Sequence, residues 1–174
     1  MKSTGRGTIS SSVVLCALVL AWSGCPGGKQ PVRRPAECEP PPIEVFLQAD
    51  DDLNRNAMGQ PMPVEVRVLL LRQRQVLDQA DFETIWKEGP SVLGKDLVSS
   101  ATLTVFPGKL KIYPMKSVPG VSHIALVGIF RKPRGRGWCH VVDVSDTKSQ
   151  CAAKDALHTI IHAHVRGNSI TQPD

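Results

Sequence analysis

Residues 64–72 have the sequence Val-Glu-Val-Arg-Val-Leu-Leu-Leu-Arg, which is the clearest strand pattern in the chain. Val64, Val66, Val68 and Leu70 occupy alternate positions, and alternate side chains of a strand lie on the same face. A strand with one fully apolar face buries that face against a second layer of structure. The segment therefore predicts a strand in a layered β-domain.

Similar segments with alternating or uninterrupted apolar residues occur along most of the chain. Pro-Gly pairs at 107–108 and 119–120 and the glycine-containing turn at 134–137 separate them. The further predicted strands are 43–49, 101–106, 110–113, 123–130, 138–144 and 157–165. About seven short strands with one helix indicate a mainly β fold, a β-sandwich.

One short helix is predicted at residues 78–90. Asp78 is a plausible N-cap, and the Gly-Pro pair that ends the segment is a common stop signal. Phe82, Ile85 and Trp86 have i, i+3, i+4 spacing, which places them on one helix face. We expect all three to pack the helix onto the sandwich.

The first 24 residues have the order of a secretory signal peptide. Lys2 and Arg6 precede an uncharged apolar run over residues 13–22, and residues 1–24 contain no acidic side chain. The apolar run is too short to span a bilayer, which takes about 20 apolar residues. We expect residues 1–24 to be removed from the mature protein.

The Ser23-Gly24 pair directly before Cys25 resembles the lipobox of bacterial lipoproteins, in which the cysteine thiol takes a diacylglyceryl group. Cys25 is therefore the predicted lipidation site and membrane anchor. Trp22 departs from the pattern, because the lipobox usually carries Leu, Val or Ile at that position. Cleavage after Ser23 without a lipid, or an uncleaved signal, are the alternatives. Pro26 follows the cysteine where Asp would favour inner-membrane retention, so the common sorting pattern favours the outer membrane.

Residues 25–42 form a proline-rich linker after this anchor, and such segments favour extended polyproline II structure. Residues 43–174 are enough for one folded domain, the predicted β-sandwich. The formal charge of the chain, +5, is mild and scattered along the sequence. This charge therefore does not indicate nucleic-acid binding.

Three cysteines follow Cys25, and in an oxidising compartment they allow one disulfide and leave one thiol over. Cys139 with Cys151 is the preferred pair, because both can lie across a hairpin that turns near residues 146–149. Cys38 can instead pair with either of them. Zinc binding is the weaker interpretation, since the chain contains no Cys-x-x-Cys pair.

Histidines provide the most plausible metal ligands. His158, His162 and His164 fall on one face of the predicted strand 157–165, and neighbouring residues on one strand face lie about 7 Å apart. A solvated sheet face is the alternative. The acidic run 50–52 lacks the Gly-x5-Glu sequence of a calcium loop, so no metal is predicted there. A metal-binding or ligand-binding periplasmic sandwich is thus the second function class.

A set of short motifs occurs in a fixed order and resembles the TssJ family, also called SciN, of outer-membrane lipoproteins of the type VI secretion system. The resemblance covers about residues 43–144 and agrees with the lipobox upstream. Its motifs are Leu53-Asn54 before a loop, residues 63–72, Ala80-Asp81-Phe82, the Leu-Gly-Lys-Asp-Leu sequence at 93–97, Phe106-Pro107-Gly108, and residues 124–131 followed by Gly137-Trp138.

The resemblance implies a transthyretin-like β-sandwich with a helical insertion, no enzymatic activity, and no cofactor besides the covalent lipid. It implies an outer-membrane protein that faces the periplasm and binds the periplasmic C-terminal region of a TssM-like inner-membrane protein. Several copies would join one trans-envelope complex. The partner contact would lie on the loop between the first two strands, residues 50–62. The expected contact residues are Asp50, Asp51, Asp52, Leu53, Asn54, Arg55 and Asn56.

Two charged segments admit more than one interpretation. An acidic run at 50–52 on a rigid rim can steer a basic partner, although Asp and Asn are also ordinary turn residues. The basic turn 131–136, Arg-Lys-Pro-Arg-Gly-Arg, can contact anionic head groups or phosphates, or can simply be solvated.

Overall fold

Two four-stranded sheets stack on each other in the computed structural model, which describes residues 42–144 and 159–173. The predicted signal peptide, the linker before Pro42, Cys25, Cys151 and His158 lie outside these residues. The strands are β1 Ile43–Ala49, β2 Val64–Leu71, β3 Leu97–Val105, β4 Leu110–Met115, β5 His123–Ile129, β6 Cys139–Asp143, β7 Thr159–Arg166 and β8 Ser169–Thr171. The mainly β sandwich prediction is confirmed.

The first sheet has the strand order β4-β1-β7-β8, and the second has the order β3-β2-β5-β6. Every pairing is antiparallel except that of β1 with β7, which is parallel. β1 and β2 are therefore inner strands of their sheets, although they are adjacent in sequence. The chain must cross from one sheet to the other between them, and this crossing makes the long β1–β2 loop.

The core lies between the two sheets and is formed by the alternating positions that the sequence predicts. The inward side chains of β2 are Val64, Val66, Val68 and Leu70, and all four are buried. The odd-numbered residues of β1 are buried in the same cluster. Both sheets thus bury one apolar face each, which is the main source of stability for a sandwich.

Two helices connect β2 with β3, and they divide the segment for which one helix was predicted. They are α1, Gln75–Gln79, and α2, Phe82–Leu93, followed by a 3₁₀ turn at Gly94–Asp96. The N-cap is Asp81 and not Asp78, because the Asp81 carboxylate accepts a hydrogen bond of 2.8 Å from the Thr84 N–H. This backbone hydrogen bond lowers the pKa of the Asp81 carboxyl.

The prediction that the helix ends at Gly89-Pro90 was wrong, because α2 continues past Pro90 to Leu93. Proline has no N–H, so in a helix it leaves the carbonyl four residues earlier without its donor. Here that carbonyl belongs to Trp86, and it accepts a hydrogen bond of 2.9 Å from Arg67 Nη1 on β2. The side chain of a neighbouring strand replaces the missing backbone donor.

The prediction that Trp86 packs on the core was also wrong, since 45% of its surface is exposed. The buried residues of α2 are Ile85, Gly89 and Leu93, which have i, i+4, i+8 spacing. Trp86 is rotated by about 100° from Ile85 on the helix, so it cannot share this face fully. It stacks instead on half-buried Phe82, with ring centroids 6.1 Å apart.

The sequence pattern did not predict the last strand, β8. β8 has only three residues and pairs with the end of β7 across the Gly167-Asn168 turn. Within residues 42–144 and 159–173, no helix has the length and apolar content that a membrane crossing requires.

Replacing Ile85 and Trp86 separately by Ala should have unequal effects on stability. Ile85→Ala leaves a cavity between α2 and β2 and should lower the free energy of unfolding by about 2–5 kcal/mol. Trp86→Ala should cost about 1 kcal/mol or less, because the ring is largely exposed. Urea denaturation of both variants measures this difference. Equal losses would contradict the helix orientation.

Candidate functional site

The β1–β2 loop, residues 50–63, lies where the ends of both sheets meet. The β7–β8, β3–β4 and β5–β6 turns contact it through hydrogen bonds to its backbone or side chains. The Asn54 N–H donates to the Gly167 carbonyl in the β7–β8 turn, at 2.7 Å. The Gly108 N–H in the β3–β4 turn donates to the Asp50 carbonyl, at 3.1 Å. The loop is thus fixed at several points along its length.

Asn54 is the central support of this loop. Only 4% of its surface is exposed, and its backbone has φ of +48°. Its Nδ2 donates to the Pro63 carbonyl at 2.8 Å, and its Oδ1 accepts from the Arg131 N–H at 2.9 Å. Asn tolerates the left-handed region better than most residues, so the backbone and side-chain requirements favour the same residue here.

Leu53 closes the base of the loop from the inside. Its side chain is fully buried in the core, and its carbonyl accepts a hydrogen bond of 2.9 Å from the Met62 N–H. Leu53 and Asn54 were both expected to contact a partner. Because their side chains lie in the interior, this expectation is corrected: they support the loop and do not form its surface.

Asn56 organises the tip of the loop. Its Oδ1 accepts from the N–H groups of Met58 and Gln60, at 2.9 and 3.0 Å. Its carbonyl accepts from the Gly59 N–H at 3.0 Å, and Gly59 has φ of +78°, a conformation that favours glycine. These bonds form a tight turn, so Asn56 also acts mainly as a support.

Met58 is the largest apolar group that this turn exposes, with 85% of its surface accessible. Sequence reasoning stopped at Asn56 and missed it. A methionine between Asn56 and Gly59 in an otherwise polar loop was the available signal, because turn chemistry does not require an apolar side chain there. Asp51, Asp52 and Arg55 of the same loop are also exposed, and their contact with a partner stays a prediction.

The acidic side of the loop packs against the β3–β4 turn. A Cβ atom on Gly108 would lie 2.2 Å from Asp51 Oδ1, and Gly108 has φ of +65°. The backbone conformation therefore favours glycine at 108, and a larger residue would also require the exposed Asp51 carboxylate to move. Asp50 is half-buried and lies 3.7 Å from the Arg166 guanidinium.

Comparison with known proteins identifies the family. The T6SS-SciN model, which describes type VI secretion lipoproteins including VasD, EvfM and TssJ, matches residues 41–166. This chain belongs to that family. The lipoprotein resemblance deduced from the sequence motifs is thereby confirmed. No curated protein sequence matches the chain significantly.

Solved structures agree with the family fold. Serratia marcescens Lip, a membrane-bound component of the type VI secretion system, has 22% identity and a TM-score of 0.70, covering 76% of this chain and 97% of that one. TssJ1 from Pseudomonas aeruginosa has 20% identity and a TM-score of 0.63, covering 78% and 98%. A chain in the structure of the TssM C-terminal domain from EAEC has 20% identity and a TM-score of 0.62, covering 76% and 98%.

The cysteine arrangement in this family member stays a prediction. Cys139 begins β6 and has no disulfide partner among residues 42–144 and 159–173, while its proposed partner Cys151 lies outside them. Burial raises the pKa of the Cys139 thiol to about 11. As a free thiol it would therefore be mostly protonated and unreactive at neutral pH.

The two described histidines of the proposed metal face have other contacts. His162 stacks on Phe46 with ring centroids 4.8 Å apart. His164 Nδ1 lies 2.7 Å from the Arg166 guanidinium, which can donate to the lone pair that a metal would use. No group of three metal-ligating side chains occurs in the described part of the chain, and His158 lies outside it.

Asn54 should be required for the loop conformation and for stability. Asn54→Ala removes two hydrogen bonds of a buried amide and leaves a non-glycine residue at positive φ, so it should cost about 2–4 kcal/mol. Asn54→Gly also removes the hydrogen bonds but relieves the backbone strain, so it should be more stable than the Ala variant by about 1 kcal/mol. Urea denaturation of the two variants and the parent measures this. Parent-like stability of Asn54→Ala would contradict the supporting role.

Proposed function

We propose that this protein is a non-catalytic assembly lipoprotein whose β1–β2 loop binds the periplasmic C-terminal region of a TssM-like inner-membrane protein. The observation that carries the proposal is the construction of the loop: a buried, hydrogen-bonded base supports an exposed Met58. Membership of the type VI secretion lipoprotein family supports it. So does the likeness to a chain in a structure described as the TssM C-terminal domain.

The energetic argument rests on preorganisation. A flexible loop must lose conformational freedom when it binds, and this loss weakens affinity. In this loop, Asn54 and Asn56 fix the backbone before any partner arrives. An exposed thioether on a fixed turn can enter an apolar pocket and adapt to its shape. Met58 would therefore be the central contact, with Asp52 and Arg55 around it.

The position of the loop relative to the chain entry also fits an anchored binding protein. The residues before Pro42 join the start of β1, whereas the β1–β2 loop follows its end. β1 has seven residues, so these two points are about 20 Å apart along the strand. A tether at one end leaves the opposite end accessible to a partner in the periplasm.

Anchoring would depend on Cys25. We propose that acyl chains on this residue hold the protein at the outer membrane, after removal of residues 1–24. Several chains on one residue give stable anchoring, whereas a single chain gives only marginal binding. The proline-rich linker 25–42 would then separate the β-sandwich from the lipid surface.

Met58→Ser should weaken binding to the C-terminal region of the TssM protein encoded in the same genome. Loss of a central apolar contact typically costs about 2 kcal/mol or more, so the dissociation constant should rise roughly thirtyfold. Adding Asp52→Ser and Arg55→Ser should weaken binding further. Calorimetric titration measures the affinity, and a thermal melt should stay within a few degrees of the parent because these side chains are exposed.

Ile112→Ser provides the matched control. Ile112 is also an exposed apolar residue, but it lies on β4 and outside the loop. Its replacement should leave the affinity unchanged. Parent-like affinity of the Met58 variant, with the fold intact, would place the main contact outside the β1–β2 loop.

Cys25→Ser should move the protein from the membrane fraction to the soluble periplasmic fraction, because the acyl acceptor is lost. Cys16→Ser is the control: Cys16 lies in the segment predicted to be removed, so its replacement should not change the location. Fractionation followed by immunoblotting measures both. If the Cys25 variant stays in the outer membrane like the parent, the lipidation proposal is wrong.

A further inference from the structure

The β5–β6 turn, residues 130–138, carries three cations that have no acidic partner among residues 42–144 and 159–173. Arg131, Lys132 and Arg134 are exposed. The ion pairs found within residues 42–144 and 159–173 include none of the three. Three neighbouring cations that are unpaired within the described part of the chain create a local positive potential.

Arg136 of the same turn has a different role, because the fold uses its charge and its donors. Its guanidinium donates to the carbonyls of Ala80 and Leu77, at 2.7 and 3.0 Å, and lies over the Trp138 ring at 4.8 Å. The Gly137 N–H donates to the Arg134 carbonyl at 3.1 Å. Arg136 thus fixes the turn against α1, while the other three cations remain available at its surface.

The turn is physically continuous with the β1–β2 loop. The hydrogen bond from the Arg131 N–H to Asn54 Oδ1 joins the two directly, and Arg55 is exposed next to that bond. The opposite side of the loop packs on the β3–β4 turn and carries exposed Asp51 and Asp52. Because β3 and β5 flank β2 on opposite sides, this end of the sandwich has an acidic side at the β3–β4 turn and a basic side at the β5–β6 turn.

We propose that Arg131, Lys132 and Arg134 form an electrostatic docking surface for an acidic segment of the same protein that the β1–β2 loop binds. This inference rests on the proposed function. Exposed charges at the rim of an interface mainly accelerate association and set orientation, and they contribute little to the lifetime of the complex. In this arrangement the cations guide the partner, and Met58 retains it.

Two observations favour a protein partner over a lipid surface. The basic turn shares a hydrogen-bonded support, Asn54, with the proposed protein-binding loop. It also lies at the end of the sandwich opposite to Pro42, the first residue that the structure describes after the proposed anchor. Binding of anionic lipid is therefore treated as the competing outcome of the test.

The experiment compares two triple variants of the mature lipoprotein in phosphatidylcholine nanodiscs. Arg131→Gln, Lys132→Gln and Arg134→Gln remove the docking charges. Lys95→Gln, Lys111→Gln and Lys116→Gln remove the same number of exposed charges elsewhere. Surface-binding kinetics with the purified TssM C-terminal region are measured from about 50 mM to 0.5 M salt, where screening shortens the Debye length to a few ångströms.

The docking variant should lose about tenfold in association rate constant at low salt, with a dissociation rate within about twofold of the parent. The difference should disappear at high salt, and the control triple should match the parent throughout. Parent-like association of the docking variant would overturn the inference while leaving the proposed function intact. An unchanged association rate with a faster dissociation rate would also overturn it, because that result would indicate a structural effect and not an effect on docking.

Two further probes separate the remaining outcomes. If the parent does not bind the TssM region, the proposed function fails, and a decaglutamate peptide then tests the surface alone. Salt-sensitive binding of this peptide by the parent and control triple, but not by the docking variant, would support an acidic-segment site, and absence of binding would overturn it. Vesicles containing about one quarter phosphatidylglycerol test the lipid alternative. If loss of the three cations weakens binding to these vesicles more than binding to the protein partner, the inference is overturned.

Discussion

The burial of one apolar face of β1 against one apolar face of β2 is the constraint on which the rest of the structure depends. These strands lie at inner positions of different sheets, and their alternating residues form one core. Because the two strands are consecutive, the chain must pass from one sheet to the other at the end of the sandwich. The loop that makes this passage therefore lies at that end, where it makes hydrogen bonds with three other turns.

The hydrogen bonds around the β1–β2 loop explain how a long polar loop becomes a fixed surface. Asn54 connects the loop with Pro63 at its own base and with Arg131 of another turn. Asn54 is buried because it makes these bonds. Met58, four residues later in the same loop, is exposed. The residues that support the loop are thus different from those that form its exposed surface, so the exposed residues can change without loss of the fold.

The helical insertion depends on a contact between distant parts of the chain. Pro90 would normally end a helix, but Arg67 on β2 donates to the carbonyl that the proline leaves without a partner. The same packing buries Ile85 and leaves Trp86 outside. Local residue preferences therefore gave the correct element type for this segment and the wrong boundaries and orientation.

The sequence by itself determined the class of fold, the positions of most strands, and the residues of the inner faces, because a period of two follows directly from strand geometry. Motif order was enough to indicate the family. Only the tertiary structure decided that Leu53 and Asn54 are buried, and the Asn54 side chain is held there by a hydrogen bond from Arg131, 77 residues away. The exposure of Met58 has a local cause, because the Asn56 side chain accepts hydrogen bonds from the N–H groups of Met58 and Gln60 and folds the tip into a turn.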